Sequence, residues 1–299
     1  MAADAMLQVL QKLFTSKAIE PDPVGGKVTL GDVLGRGWFE LWYQPKIDLR
    51  SKRLVGAEAL VRARRPDGSL LSPGAFLPGA TEDDMLALTE RVILTALRDF
   101  EDYAALGATL KLSVNVPASA FVKLPIARML REERPAAAHW PGLILEVTED
   151  EAMHDLKIAN EIADELRALE CSLALDDFGA GYSSLARLQQ LPFSELKIDR
   201  SYVTDCHVDK VNAGLCETIV ELGKRFDLKI VAEGIESTHE SHKLQGIGCD
   251  IGQGYLFAKP MSKKQFVAVL GRRLVGAPKP ADKSRSTAGH VLRGLFAET

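Results

Sequence analysis

Apolar runs of strand length alternate with amphipathic helical patterns through most of this chain. The strand-like runs occupy residues 38–49, 54–63, 109–116, 143–149, 172–177, 195–199, 229–235 and 251–257. Apolar residues at helical spacing separate most of these runs, at 83–105, 118–133, 154–170, 183–190, 210–226, 237–246 and 262–274. Such alternation is typical of a parallel sheet with crossover helices, and about eight strands close a TIM barrel. The pattern therefore predicts an α/β protein with a (β/α)8 barrel.

The connection between the first two runs is too short for a crossover helix. It comprises only residues 50–53, whereas parallel neighbours need about a dozen residues or more between them. The two runs are therefore predicted to form a hairpin, with the first strand antiparallel to its neighbour. We expect a modified TIM barrel.

The two ends of the chain differ from the barrel domain, which we place at residues 31–275. Residues 1–30 are predicted to form an N-terminal amphipathic helix and a linker, because apolar residues at helical spacing over 5–16 precede prolines and glycines at 21–26. The helix lacks a basic polar face, which favours packing on the domain or on a second subunit over membrane attachment. Residues 276–299 are polar and proline-containing, and are predicted to form a flexible C-terminal tail.

Charge and composition exclude several functions. The formal net charge of −4 lacks the basic excess typical of a protein that binds a nucleic-acid polymer. No apolar run approaches the ~20 residues of a transmembrane segment, and the first residues, MAAD, do not resemble a signal peptide. The four cysteines lack CxxC spacing, which favours reduced thiols over disulfides or a zinc site. We expect a cytoplasmic protein.

A polar residue stands near the end of almost every predicted strand. These residues are Glu58, Asn115, Glu146, Asp176, Asp177, Lys197, Glu233 and Gln253. A carboxylate inside a hydrophobic strand is costly to bury unless it is paired or binds a cation. The strands of a barrel bring their ends to one rim, so these groups should converge. Their oxygen atoms predict a site for hard divalent metal ions.

The run DDFGAGYSSL, residues 176–185, is the strongest local signal. Adjacent aspartates at a strand end point in different directions, so Asp176 and Asp177 could bind one ion and bridge to a second. The alternative, in which Asp177 only caps a turn, would leave Asp176 without a partner. Lys197 and Asp199 follow on the next strand, where the period of two predicts that both face the barrel interior. A plain ion pair between them is the alternative.

Two further pairs stand on the seventh strand and on the helix after it. Glu233 and Glu236 suit a water-activating acid and its support, or a surface pair. His239 and His242 form an HxxH pattern, for which exposed helix positions are favoured over a metal site.

Seven motifs occur in an order that is specific to one family. They are EAL with Arg62, VN, LEVTE, DDFGAGYSSL, KIDR, AEGIE and QGYLF, and they extend from about Tyr43 to Phe266. In this order they resemble the EAL-domain cyclic di-GMP phosphodiesterases. The resemblance implies a modified TIM barrel with an antiparallel first strand. It also implies hydrolysis of cyclic di-GMP to linear pGpG by a mechanism with two Mg²⁺ or Mn²⁺ ions, and a homodimer.

The resemblance also implies roles for individual residues. The metal ligands would be Glu58, Asn115, Glu146, Asp176, Asp177 and Glu233. Lys197 would orient the attacking water, Glu233 would help to position it, and Glu149 would brace the DDFG loop. The substrate contacts would be Gln44, Arg62, Asp199, Glu236 and Gln253.

The sequence departs from the family pattern near the predicted substrate rim. Ala63 and Arg65 stand where tryptophan and histidine are common, and Thr81 replaces an expected acid unless Glu82 substitutes for it. Two alternatives therefore stay open: an inactive module that serves as a cyclic di-GMP receptor, and a protein-interaction regulator. The presence of all the metal acids favours the active enzyme. Regulation through the N-terminal helix, a protein partner or dimerisation is left open.

Overall fold

The computed structural model describes residues 28–137, 139–148, 156–179 and 192–275. The predictions for residues 1–27 and 276–299 lie outside the described residues. The predicted helix at 183–190 and the predicted bracing residue Glu149 lie outside them as well.

Ten strands form one sheet in the described part of the chain, and eight of them close a barrel. The strands are β1 (Phe39–Asp48), β2 (Leu54–Arg64), β3 (Leu70–Leu71), β4 (Lys111–Asn115), β5 (Leu143–Thr148), β6 (Ser172–Phe178), β7 (Phe193–Ile198), β8 (Lys229–Ala232), β9 (Ile251–Gly252) and β10 (Met261–Ser262). The pairing runs in the order β1-β2-β4-β5-β6-β7-β8-β9 and returns to β1. The eight long apolar runs of the sequence are the barrel strands.

The first barrel strand runs against all its neighbours. β1 pairs antiparallel with both β2 and β9, and every pairing from β2 through β4 to β9 is parallel. The predicted hairpin is therefore confirmed, and so is the modified barrel. The register sets Gln44 opposite Glu58 and Lys46 opposite Gly56.

The helices lie between the strands in the expected order. They are α1 (Leu30–Gly35), α2 (Pro73–Phe76), α3 (Glu82–Ala105), α4 (Ala118–Lys123), α5 (Ile126–Glu132), α6 (Leu156–Ala168), α7 (Arg200–Val203), α8 (Lys210–Arg225), α9 (Thr238–Ile247) and α10 (Lys263–Val275). The long helices agree with the helical patterns within two residues at each end. The short elements α1, α2, α7, β3 and β10 were not predicted, because two to six residues show no usable periodicity.

One helix prediction is wrong, because two helices occupy the range that was predicted for one. The pattern over 118–133 predicts a single helix, but α4 ends at Lys123 and α5 begins at Ile126. Leu124 between them is extended, with φ −107° and ψ 143°. A residue that precedes proline is driven out of the helical region by the proline ring, and Pro125 follows Leu124. The apolar spacing continues across the break because both helices pack on the same core.

An aromatic cluster joins β1 to the helices at the outside of the barrel. Tyr43 of β1 stacks with Phe266 of α10 at 5.6 Å between ring centroids, and Tyr103 of α3 meets Phe266 edge-on at 5.2 Å. The Tyr43 hydroxyl donates to Asp99 at 2.5 Å, and Lys263 pairs with the same carboxylate at 2.8 Å. These contacts hold the antiparallel strand between α3 and α10.

No helix within the described ranges is both long and apolar enough to cross a membrane.

Phe266→Ala tests the aromatic cluster. Phe266 is fully buried, so the truncation should lower the free energy of unfolding by about 3–5 kcal/mol through lost burial and a cavity. Chemical denaturation measures the loss. Val122→Ala is the control, because Val122 is 66% exposed and its truncation should change stability by less than about 0.5 kcal/mol. Equal stability of the two variants would contradict the proposed importance of the cluster.

Candidate active site at the barrel mouth

The ammonium group of Lys197 lies at the centre of the polar cluster. Lys197 is 1% exposed, and its Nζ lies 2.7 Å from Glu146 Oε2, 3.0 Å from Asp176 Oδ2 and 2.7 Å from Glu233 Oε1. Glu146 lies on β5, Asp176 on β6 and Lys197 on β7, and Glu233 directly follows β8. The strand ends therefore converge as the sequence predicts.

A second group of polar side chains surrounds Glu58 on the other side of the mouth. Asn115 Nδ2 donates to Glu58 Oε1 at 2.9 Å, and Gln253 Nε2 donates to Glu58 Oε2. Gln253 Nε2 also reaches Gln44 Oε1 at 3.2 Å. Glu58, Asn115, Gln253 and Gln44 are all buried. One set of hydrogen bonds thus joins the middle of β2, the end of β4, the residue that follows β9 and the antiparallel β1.

The amide oxygens in this group have the environment expected of metal ligands. Asn115 Oδ1 and Gln253 Oε1 are buried and accept no hydrogen bond from the described part of the chain. A buried acceptor without a partner costs about 1–3 kcal/mol. A hard cation would satisfy the oxygen of Asn115, and water bound near the cation would satisfy that of Gln253. The neighbouring carboxylate oxygens are the other ligands that Mg²⁺ and Mn²⁺ prefer. The donor set therefore fits the predicted ions.

The carboxyl groups of the mouth have strongly perturbed acidity. Burial raises the pKa of Glu58 and raises that of Glu233 well above the ordinary value. Burial also acts on Glu146, but the ammonium groups of Lys197 and Lys46 overcome it and lower its pKa to about 2. The pKa of Lys197 lies well above its ordinary value, since the surrounding carboxylates outweigh burial. Burial therefore disfavours the charged forms of Glu58 and Glu233, and a nearby cation would offset that cost.

The two aspartates of the DDFG motif differ in backbone conformation. Asp177 has a φ of 55°, a left-handed conformation that aspartate tolerates better than most residues. Its N–H donates to Asp176 Oδ1 at 2.8 Å, while Asp176 Oδ2 faces Lys197. Asp176 is buried and Asp177 is half-buried. The two residues therefore differ in backbone conformation and in burial, which is compatible with the predicted difference in side-chain direction.

The predicted substrate contacts Asp199 and Glu236 lie beside the mouth. β7 ends at Ile198, so strand alternation does not reach Asp199, whose carboxylate accepts from Ser201 N at 2.9 Å at the start of α7. Glu236 is exposed and pairs with Arg200 at 2.6 Å. Their roles as substrate contacts stay predictions.

Arg62 and Gln44 stand on the paired strands β2 and β1 on either side of Glu58. Arg62 follows Glu58 by four residues on β2, is half-buried and donates to Val61 O at 2.7 Å. Gln44 donates to Ala258 O at 3.2 Å. Both positions are compatible with the predicted contacts, which remain predictions.

The departure at Thr81 has a structural explanation. Thr81 caps α3, accepting from Asp84 N at 3.1 Å, and the Asp84 carboxylate accepts in return from Thr81 N at 3.0 Å. Such a reciprocal cap stabilises a helix start. Glu82 does not replace the missing acid at the mouth in this structure, because its carboxylate pairs with Lys123 at 2.5 Å.

Three buried charged residues near the site were missed by sequence reasoning. Lys46 and Glu195 face the barrel interior beneath the mouth and lie 3.7 Å apart. Strand alternation could have found both, because each stands two residues from a predicted site residue, Gln44 and Lys197. The third is Glu240, whose spacing from Ser237 matches a capping box.

Glu240 anchors the loop that follows β8. Its Oε2 accepts from the backbone N–H of Glu236 and Ser237, both at 2.9 Å, and its Oε1 accepts from Asp205 N at 3.0 Å. Asp205, His207 and Glu240 form a group whose potential ligand atoms lie within 4.8 Å of one another. Because backbone donors already engage both Glu240 oxygens, this group is explained as an anchor for the loop.

The two histidines of the HxxH pattern are exposed, as predicted. His239 stacks on His207 at 5.3 Å between ring centroids.

Comparisons with known proteins agree with this geometry. The model of the EAL domain family matches residues 28–260. Over 242 residues the chain is 37% identical to the bifunctional diguanylate cyclase/cyclic di-GMP phosphodiesterase MucR of Pseudomonas aeruginosa, covering 80% of this chain and 35% of MucR. It is 35% identical over 240 residues to the cyclic di-GMP phosphodiesterase RocR of the same organism, covering 78% of this chain and 60% of RocR. The chain thus spans only part of these relatives.

A solved structure supports the fold. The PaMucR phosphodiesterase in complex with c-di-GMP superimposes with a TM-score of 0.72 at 36% identity, over 79% of this chain and 97% of that one.

Glu240→Gln tests the loop anchor. The pKa of Glu240 lies below its ordinary value of 4.5, since backbone N–H donors outweigh burial. The stabilisation by its charge is therefore present above about pH 4.5 and is lost as the pH falls further. At pH 7 we expect the substitution to lower the free energy of unfolding by roughly 1–3 kcal/mol, with a difference that shrinks below pH 4.5.

Urea denaturation between pH 3.5 and 7.5 measures this difference. Glu221→Gln is the matched control, because Glu221 makes an exposed pair with Arg225 on α8 and should contribute less than about 0.5 kcal/mol. A pH-independent difference for Glu240→Gln would show that its charge does not anchor the loop.

Proposed function

Because this chain belongs to the EAL domain family, we propose that it hydrolyses cyclic di-GMP to linear pGpG with the help of two Mg²⁺ or Mn²⁺ ions. The observation that most directly supports this proposal is that polar side chains from many strands converge at the barrel mouth. Among them, the amide oxygens of Asn115 and Gln253 accept no hydrogen bond from the described residues. Water would attack one phosphorus, the bond to the 3′ oxygen would break, and that oxygen would take up a proton.

The oxygen-bearing side chains of the mouth would hold the ions. These ligands would be Glu58, Asn115, Glu146, Asp176, Asp177 and Glu233. The EAL family is metal-dependent, and when bound the ions supply Lewis acidity that activates water and neutralises phosphate charge. Mg²⁺ and Mn²⁺ suit the set because its donors are oxygen atoms.

Lys197 would orient the attacking water. Three carboxylates fix its ammonium group, so the position of Nζ is set before any substrate arrives. An ammonium has three donors and stays protonated here, because its pKa is raised well above the ordinary value. Its role is therefore to donate hydrogen bonds to water or to a developing oxyanion, and not to accept a proton.

Arg62 and Gln44 would contact the substrate from the β1–β2 side, and Asp199 and Glu236 from the β7–β8 side. Arg62 supplies the positive charge that a phosphate requires, since the chain as a whole is acidic. Gln253 would help to hold the water network. Glu149, outside the described residues, would brace the DDFG loop, and the enzyme would act as a homodimer under the control of a regulatory protein partner.

Incubation of the purified chain with cyclic di-GMP tests the proposal. We expect pGpG to form with Mg²⁺ or Mn²⁺ and its formation to stop when the ions are chelated. Chromatography of the products together with calorimetric binding measures both properties. Tight binding without turnover would indicate a receptor, and the absence of both would indicate a protein-interaction module.

Glu58→Ala should abolish turnover in a folded protein. The substitution removes one oxygen ligand, and metal ions contribute several kcal/mol to such reactions, so we expect a loss of at least about 100-fold. Steady-state rates and circular dichroism are the measurements. Glu217→Ala is the matched control, because Glu217 lies on α8 and pairs with Lys243 at the surface. Hydrolysis by Glu58→Ala at the control's rate would refute the ligand assignment.

A further inference from the structure

Lys46 is a buried ammonium group to which the proposed chemistry assigns no task. Its Cα pairs with Gly56 of β2, two residues before Glu58, so its side chain enters the barrel one layer below the mouth. Lys46 is 2% exposed, and lysine is almost never buried this deeply without paired carboxylates. Its partners therefore indicate what it does.

Lys46 and Lys197 each contact a different carboxylate oxygen of Glu146. Nζ of Lys46 lies 2.7 Å from Oε1, and Nζ of Lys197 lies 2.7 Å from Oε2. Lys197 also contacts Asp176 and Glu233, so Oε2 faces the mouth. Oε1 is held towards the layer below. Glu146 therefore presents one oxygen, in one orientation, to the mouth.

Glu195 keeps the ammonium group of Lys46 in the lower layer. It precedes Lys197 by two residues on β7, is 8% exposed, and its Oε2 lies 3.7 Å from Lys46 Nζ. This pair is neutral as a unit. Gly56, opposite Lys46, permits the close approach of β4, because a Cβ there would lie only 2.7 Å from the carbonyl oxygen of Lys111.

We propose that Lys46 is a positioning residue that fixes Glu146 as a single-oxygen ligand for the divalent ion. The inference rests on the proposed function, because that function makes Glu146 a metal ligand. Residues that orient a metal ligand from behind typically change metal affinity by about 10–100-fold when they are removed. The direct charge effect has the opposite sign, since removing a positive charge beneath a cation site favours the cation. The direction of the change therefore separates positioning from charge.

Calorimetric titration of the metal-free full chain with Mn²⁺ tests the proposal. We expect Lys46→Met to bind Mn²⁺ at least about tenfold more weakly than the wild type. The double variant Lys46→Met/Glu195→Gln removes one charge of each sign and keeps the net charge of the lower layer, so it should bind Mn²⁺ at least as weakly as Lys46→Met. Lys229→Met is the matched control, because Lys229 pairs with Asp250 at the opposite end of the barrel, and its affinity should not change.

The measured affinities and the folding of the variants decide whether Lys46 positions Glu146. Unchanged or tighter Mn²⁺ binding by Lys46→Met, or wild-type affinity in the double variant, overturns the positioning role. Circular dichroism checks folding, and failure of both variants to fold also overturns it, because Lys46 would then serve the fold alone. A wild type that does not bind Mn²⁺ counts against the proposed function itself, before any variant is compared.

Discussion

The burial of the Lys197 ammonium among three carboxylates is the interaction on which the barrel mouth depends. Burying a charge without a partner would cost several kcal/mol. The ammonium and the three carboxylates can therefore be buried only because they pair with one another. The contacts of Lys197 with Glu146, Asp176 and Glu233 therefore require the ends of β5, β6, β7 and β8 to meet in one register. The pairings of β5 with β6, β6 with β7 and β7 with β8 supply that register. Closure of the barrel then brings Lys46 of β1 to Glu146 of β5.

The balance of charge inside the barrel leaves an excess of carboxylates. Glu58, Glu146, Asp176 and Glu195 are buried, as are the two lysines Lys46 and Lys197. Burial raises the pKa of Glu58 and of Glu233, because it disfavours their charged forms. Divalent cations would balance the excess of carboxylates and would also satisfy the amide oxygen of Asn115. This excess therefore suits a cation site better than a purely structural role.

Much of this arrangement can be predicted from the sequence, because the helix period and the strand period of its apolar residues are both clear. The alternation of strand and helix periods predicted the barrel, and the short connection at residues 50–53 predicted its antiparallel first strand. The polar residues near the strand ends predicted the side chains that meet at the mouth, of which the contacts join seven: Glu58, Asn115, Glu146, Asp176, Lys197, Glu233 and Gln253. The break at Pro125 and the anchoring role of Glu240 were missed, since an apolar pattern does not show a backbone interruption and a capping glutamate resembles any surface acid. Asp199 was assigned an inward orientation by extending alternation one residue beyond the end of β7, where the backbone already begins α7.

The direction of β1 decides which of its polar side chains belongs to the mouth. Because the strand is antiparallel, Gln44 lies level with Glu58, and Lys46 lies one layer below. A parallel strand would reverse the two and place a second ammonium group among the proposed ligands, where it would compete with a cation. The proposed ligands thus lie above a lower layer in which Lys46 Nζ lies 3.7 Å from Glu195 Oε2. Sequence alternation shows that both residues face inward, but only the closed barrel shows that they meet.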